Sequence, residues 1–333
     1  MQKVNSSIIS KCTGAVEHKK TRLSPMSRIW LLLGASLLSI VLFMTINLNG
    51  NISYILTHRA YIILTMIVVA FAAGVSTILF QTIANNRILT PSLMGLEALF
   101  VLLQTVFVFF EGDMPASWML NLSKFFLEST LLVLFSVVLY RWLFSSVRFN
   151  INLVLMIGII LGTLFRSSAT LLQRLMDPNE FSILQGRMFA TFTRATPDLI
   201  FCALAIIVVV GILLWRMRYS FDVMALGQAN AINLGINYRK QTTYILLLIL
   251  VAVSTALVGP LTFLGLIVAN LAYHISGSSQ HRFLMPVAFL LGTIALIGGQ
   301  LVLEYGLKMT GTLSVVIEFV GGMFFIYLVL RRL

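Results

Sequence analysis

Residues 60–82 read AYIILTMIVVAFAAGVSTILFQT, 23 consecutive positions without Asp, Glu, Lys or Arg. A helix of about 20 apolar residues, rising 1.5 Å per residue, crosses about 30 Å of hydrocarbon, so this stretch by itself requires a bilayer. Runs of the same kind lie at 29–48, 92–110, 118–140, 151–166, 197–215, 241–257, 261–275, 283–303 and 313–330. With the first they predict an all-α integral membrane protein of about ten transmembrane helices, because open sheet edges are not tolerated in lipid. Composition agrees, since 59% of the 333 residues are hydrophobic and 10% charged, against about 25% charged in soluble chains. Residues 1–28 form a polar, basic tail, and 29–333 hold the ten-helix domain with little room for anything soluble.

The net charge of +12 would point to nucleic acid in a soluble protein, but here Lys and Arg sit at span ends and report topology instead. No nucleic-acid partner is expected. The 29–48 run lacks a small-residue cleavage site and reads as a retained first span. With the amino terminus inside, 16 of the 23 Lys and Arg residues fall on internal segments and 7 on external ones. That bias predicts both termini in the cytoplasm. Arg166, Arg174, Arg187 and Arg194 share one external connection, 166–196, where the pattern predicts a short amphipathic helix against the membrane surface.

Several chemistries are excluded. No GxxxxGK[ST] phosphate loop occurs, so nucleotide hydrolysis has to come from a partner. There is no HExxH, and His18, His58, His274 and His281 are too separated to form an obvious metal site; His274 and His281 read as solvated or interfacial. Gly74-Val75-Ser76-Thr77 is followed by Ile78, which breaks the GxSxG nucleophile pattern. Cys12 and Cys202 lie in a polar tail and an apolar run, so no disulfide framework is expected. No catalytic residue, metal ligand or bound cofactor emerges, which favours transport over catalysis.

Between the second and third runs, Gln81 to Ala98 reads QTIANNRILTPSLMGLEA, a polar turn followed by a proline that opens the next helix. The segment resembles the FecCD family of iron–siderophore and cobalamin permeases, whose pattern is Q-x4-N-P-L-A-x-P-x-x-L-G. Gln81, Asn86, Pro91 and Gly95 match it, while Arg87, Ile88 and Leu89 stand where Pro, Leu and Ala are usual. A second block, FDVMALGQANAINLGINYRK at 221–240, fits L-G-x3-A-x2-L-G through Leu226, Gly227, Ala231, Leu234 and Gly235. A third, GPLTFLGLIVAN at 259–270, resembles G-x-I-x-F-x-G-L-x-x-P-H through Gly259, Phe263, Gly265 and Leu266, with Ala269 and Asn270 replacing Pro-His. Towards the carboxyl end the spacing persists as Gly298-Gly299-Gln300 and Gly311-Thr312-Leu313-Ser314, but the family's charged residues are absent.

The resemblance implies the type II ABC importer permease fold and import of a ferric siderophore into the cytoplasm across the bacterial cytoplasmic (inner) membrane. It also implies three protein partners: a cytoplasmic ATPase dimer carrying ATP and Mg, a second permease subunit, identical or paralogous, and a substrate-binding protein outside. In that frame 216–240 is the cytoplasmic coupling segment. Its small residues at 227, 231 and 235 recur every four positions, predicting a helical face that a partner can approach closely and that a bulky residue at Ala231 would block. Arg59, near the start of the second span, is the candidate for docking the binding protein. Glu97, Glu128 and Glu318 lie in apolar runs, where carboxylates face protein or water, and their dispersal predicts packing or path-lining roles. Gly158 and Gly162 form a GxxxG pair suited to close helix packing. A secondary, ion-coupled transporter is the alternative, and it would need paired intramembrane carboxylates or unwound half-helices, neither of which is evident in the sequence.

Overall fold

The computed structural model describes residues 24–47, 51–92, 95–111, 151–193, 196–236, 241–308 and 313–332, with part of 123–138. The elements are α1 Pro25–Thr45, α2 Ile52–Ala84, α3 Leu96–Glu111, α4 Ile151–Leu175, α5 Pro178–Met188, α6 Pro197–Arg216, α7 Arg218–Met224, α8 Gln228–Asn233, α9 Gln241–Val258, α10 Leu264–Ser276, α11 His281–Leu301 and α12 Leu313–Arg332. A π turn, Val302–Gly306, closes α11. Nine of the ten apolar runs therefore fall on helices among the described residues. The remaining run, 118–140, is described only in part, with 129–135 helical.

Helix α2 is the centre of the molecule. It packs against α1, α6, α7, α9, α10 and α11, and from Ile62 to Ala84 most of its side chains are buried. That explains why it is apolar on every side rather than amphipathic. It is also longer than the apolar run, because Asn51 caps it through the Tyr54 N–H and residues 52–59 continue the helix ahead of that run. Around it, α1, α6 and α12 expose apolar faces, including Trp30, Val209 and Phe319, as lipid contact requires.

Not all the helices are full spans. α1, α2, α6, residues 156–175 of α4, and α11 with its π turn are long and apolar enough to cross a membrane, whereas α3 and α10 are shorter. α10, with 13 residues, reaches only about 20 Å. α3 and α10 are each preceded by irregular backbone, at 85–92 and 259–263, in which Thr90 and Pro91 are buried. Non-helical backbone at membrane depth is tolerated where protein covers it. Gly95, at φ +89°, brings the start of α3 onto α4, where a Cβ would lie 3.0 Å from the Gly158 carbonyl and 3.3 Å from the Gly162 Cα. The GxxxG pair thus packs against a third glycine.

One expectation needs correction. α4 continues to Leu175 instead of ending at 166, because SSATLLQRL sustains a helix after the apolar run ends; Arg166 is an exposed residue within it. A short helix does form in the 166–196 connection, as α5, which packs on α3 and buries Leu184 completely.

Candidate coupling site

Helix α6 ends at Arg216, and Met217 caps both it and the short α7. Gly227 then turns the chain at φ +93°, α8 follows, and Gly235 ends it at φ +81°. The Ile236 N–H reaches the Ala231 carbonyl at 3.0 Å and the Gly235 N–H the Ile232 carbonyl at 2.9 Å, a C-cap that needs the left-handed residue Gly235 supplies. The two glycines are therefore turn residues, and they do not line one helical face with Ala231. Ala231 points inward and is fully buried, as Phe221 is. What the segment presents outward is apolar: Leu226, Ile232 and Leu234 are 58%, 53% and 62% exposed. Exposed apolar clusters rimmed by polar groups mark protein interaction sites; Asn230 and Asn233 flank this one. A bulky residue at 231 would unseat α8 from the core before any partner met it.

Beneath this surface α8 packs on α7, and α7 packs on α2 and α11. Asp222 of α7 accepts from the His281 backbone N–H at 2.7 Å, and the same oxygen lies 2.7 Å from His281 Nδ1. His281 Nε2 lies 2.8 Å from Thr82 Oγ1, in the last turn of α2. His281 is only 1% exposed, which corrects its reading as solvated or interfacial. Asp222 and His281 are 59 positions apart, so no local spacing reveals the pair.

The motif residues hold the neighbouring turn. Gln81 Nε2 donates to the Arg87 carbonyl at 2.8 Å, and Asn270 Nδ2 reaches the same oxygen at 3.4 Å. Asn86 Oδ1 accepts from the Ile88 N–H, and the Arg87 guanidinium stacks 4.5 Å from the Tyr273 ring centroid. Asn270, standing where the family has His, thus ties α10 to the turn between α2 and α3. Gly265 lets α10 lie against Thr77 of α2, with a Cβ there also 3.1 Å from the Ala73 carbonyl; Gly259, at φ +109°, meets the Ala190 backbone, and Phe263 packs against Gly321 of α12. Leu266 is fully buried.

Arg59 lies among carbonyls. Its Nη1 donates to Phe43, Met44 and Ile46 at 3.0, 3.3 and 2.7 Å, and its Nη2 to the Tyr305 hydroxyl at 2.7 Å. The cation satisfies the orphan carbonyls at the end of α1 and sits at the negative pole of that helix. Arg59→Ala should lower the stability of the purified protein by about 1–3 kcal/mol, the usual worth of charge-assisted bonds, while Arg59→Lys recovers part of it. An unchanged melting temperature for the alanine variant would contradict the capping role.

Two of the carboxylates in the apolar runs, Glu97 and Glu318, are neighbours. Thr262 donates to Glu97, Glu318 lies within electrostatic reach of Glu97, and so does Arg166. Glu128 lies outside the described residues, as do Arg239, Lys240 and most of the tail. An apolar cleft of about 470 Å³ between α2, α6 and α11, lined by Ile67, Phe71, Leu204, Trp215 and Phe289 among others, offers no polar group to a chelate. No group of three metal-ligating side chains occurs among the described residues.

Residues 24–331 match the FecCD transport family. The chain belongs to that family. FecCD relatives include the petrobactin import system permease protein YclO of Bacillus subtilis, 43% identical over 92% of this chain and 97% of its own length. Another is the petrobactin import system permease protein FatC of Bacillus anthracis, 36% identical over 84% of this chain and 79% of its own length. The fold is that of an inward-facing protein assigned as a metal-chelate type ABC transporter, with a TM-score of 0.78 over 92% of this chain and all of that one, at 19% identity. As a FecCD protein the chain is a multi-pass membrane permease, the transport component of an ABC importer, and the type II importer fold expected from the motifs is the one observed.

Proposed function

We propose that this permease imports a ferric siderophore, and that the exposed cluster of Leu226, Ile232 and Leu234 is where a separate ATPase dimer docks and drives it. The observation that carries this reading is an apolar surface mounted on a helix anchored in the core: outward leucines on α7–α8, and α7 set against the central helix α2 through the buried Phe221 and Met224. ATP and Mg reside on the partner. In this reading residues 1–28 are a cytoplasmic tail, 29–333 are one permease unit, and a second permease subunit supplies the other wall of the path. Petrobactin in the names of two relatives supports a siderophore as cargo.

The binding protein docks on the external face. Arg59 serves that face by fixing the end of α1 and the connection to α2, in addition to any charge it presents. Closure of the ATPase dimer displaces α7–α8, and α2 and α11 respond because α7 is packed against both, changing the side to which the path opens. A large chelate delivered by a tight-binding partner needs no tight site inside the permease, in keeping with the sparse polar groups within the helices.

Cells that depend on this chain as their siderophore permease should take up radioiron-labelled ferric petrobactin. Uptake of cobalamin with no uptake of any ferric chelate would replace the substrate assignment. Orientation has its own test, in a chain lacking Cys12 and Cys202. A cysteine at Gln185, exposed on α5, should react with an impermeant maleimide in intact cells, and one at Ser279 only after permeabilisation. Reaction at 279 from outside would contradict a cytoplasmic amino terminus.

A further inference from the structure

Asp222, His281 and Thr82 bring three elements together through side chains rather than apolar contact alone. Gln280, at the N-cap of α11, makes no capping bond of its own. The first N–H of that helix is taken instead by Asp222 of α7 at 2.7 Å, a cap supplied from another element. A carboxylate has no hydrogen to give, so His281 Nδ1 carries the proton that faces Asp222. At the other ring nitrogen, Thr82 has a single hydroxyl hydrogen and two acceptors in range, the Ile78 carbonyl at 2.9 Å and His281 Nε2 at 2.8 Å. Either His281 is doubly protonated, with Thr82 bonded along its own helix, or Thr82 donates to the ring. Both arrangements fix the imidazole between α7 and α2. The Phe221 ring lies 5.8 Å from that of His281.

We propose that Asp222, His281 and Thr82 are positioning residues of the transport cycle: a polar latch, buried at His281 and Thr82 and part-exposed at Asp222, that makes α7 move as one body with α2 and α11. The inference rests on the reading of α7–α8 as the ATPase-coupled segment. Apolar surfaces can slide past one another at little cost, whereas a directional bond chain at a side chain only 1% exposed cannot shift without leaving charged or polar groups unpaired. A push on α8 is therefore transmitted to the core with its direction kept.

The experiment uses the whole complex of permease, ATPase and binding protein in proteoliposomes. Uptake of radioiron-labelled ferric petrobactin is counted per ATP hydrolysed, and assembly is followed by size exclusion. Asp222→Ala should assemble and hydrolyse ATP within about twofold of the parent, yet transport about tenfold less per ATP, within the usual range of site-to-site coupling. Asp222→Asn should keep most of the ratio, since its amide oxygen still accepts the His281 backbone N–H. Asp222→Ala with His281→Ala should be no worse than Asp222→Ala alone, because the two act as one unit. An unchanged ratio in Asp222→Ala overturns the latch, and so does a parallel loss of assembly and uptake in both position-222 variants, which would mark a merely structural role. Failure of the underlying reading is distinguishable: a complex that still assembles when Leu226 and Leu234 are both made Glu removes the coupling segment itself, whereas loss of assembly there with an unchanged ratio in Asp222→Ala removes the latch alone.

Discussion

Leu226→Glu combined with Leu234→Glu should abolish ATP-driven uptake and release the ATPase, while the isolated permease melts as the parent does. Both side chains are more than half exposed, and exposed substitutions usually change stability by no more than about 0.5 kcal/mol. At a docked interface the same change buries unpaired carboxylates, at about 2 kcal/mol or more for each anchor lost. Two such losses weaken association by roughly three orders of magnitude. Titration of detergent-solubilised permease with its ATPase reads this directly. An affinity unchanged from the parent would show that the ATPase docks elsewhere. Ala231→Trp makes an instructive contrast, because its site is fully buried and the variant should lose stability as well as coupling.

The second large effect is expected at Gly265→Leu. The backbone of α10 approaches α2 so closely there that a Cβ collides with the Thr77 hydroxyl and lies 3.1 Å from the Ala73 carbonyl. Overpacking of a well-filled core costs about 1–3 kcal/mol, more where backbone is struck, so this variant should accumulate poorly and melt well below the parent. Gly265→Ala should lose less, and Thr77→Ala should recover part of that loss, since the nearest obstacle is the Thr77 side chain. Equal melting temperatures for Gly265→Ala and the parent would mean that α10 and α2 stand further apart than described.

Much of the fold was legible because the bilayer imposes one dominant rule, and the apolar runs obey it. The entries to the shorter helices were less legible: Pro91 reads as the opening of the next helix, yet α3 begins only at Leu96, and nothing in the pattern marked the irregular backbone before α10. So were ends set by caps and neighbours. α2 begins at Ile52 because Asn51 caps it, and α4 outlasts its apolar stretch because the following residues still form a helix on the protein's outer face. The four-residue recurrence of Gly227, Ala231 and Gly235 suggested one helical face, but the chain turns at both glycines, so the exposed leucines form the surface. His281 and Asp222 meet only through the packing of α7 on α11. Arg59 stood out in the sequence as an external cation, yet its backbone partners depend on where α1 ends.

The account rests on an importer driven by ATP on a separate subunit through α7–α8. Proteoliposomes holding this permease with its binding protein, with and without the ATPase and enclosed ATP, test that most directly through accumulation of radioiron-labelled ferric petrobactin. Accumulation should require both the ATPase and ATP, and should ignore proton and sodium gradients. Accumulation that follows an imposed ion gradient with no ATPase present would contradict the account and return the chain to the ion-coupled alternative.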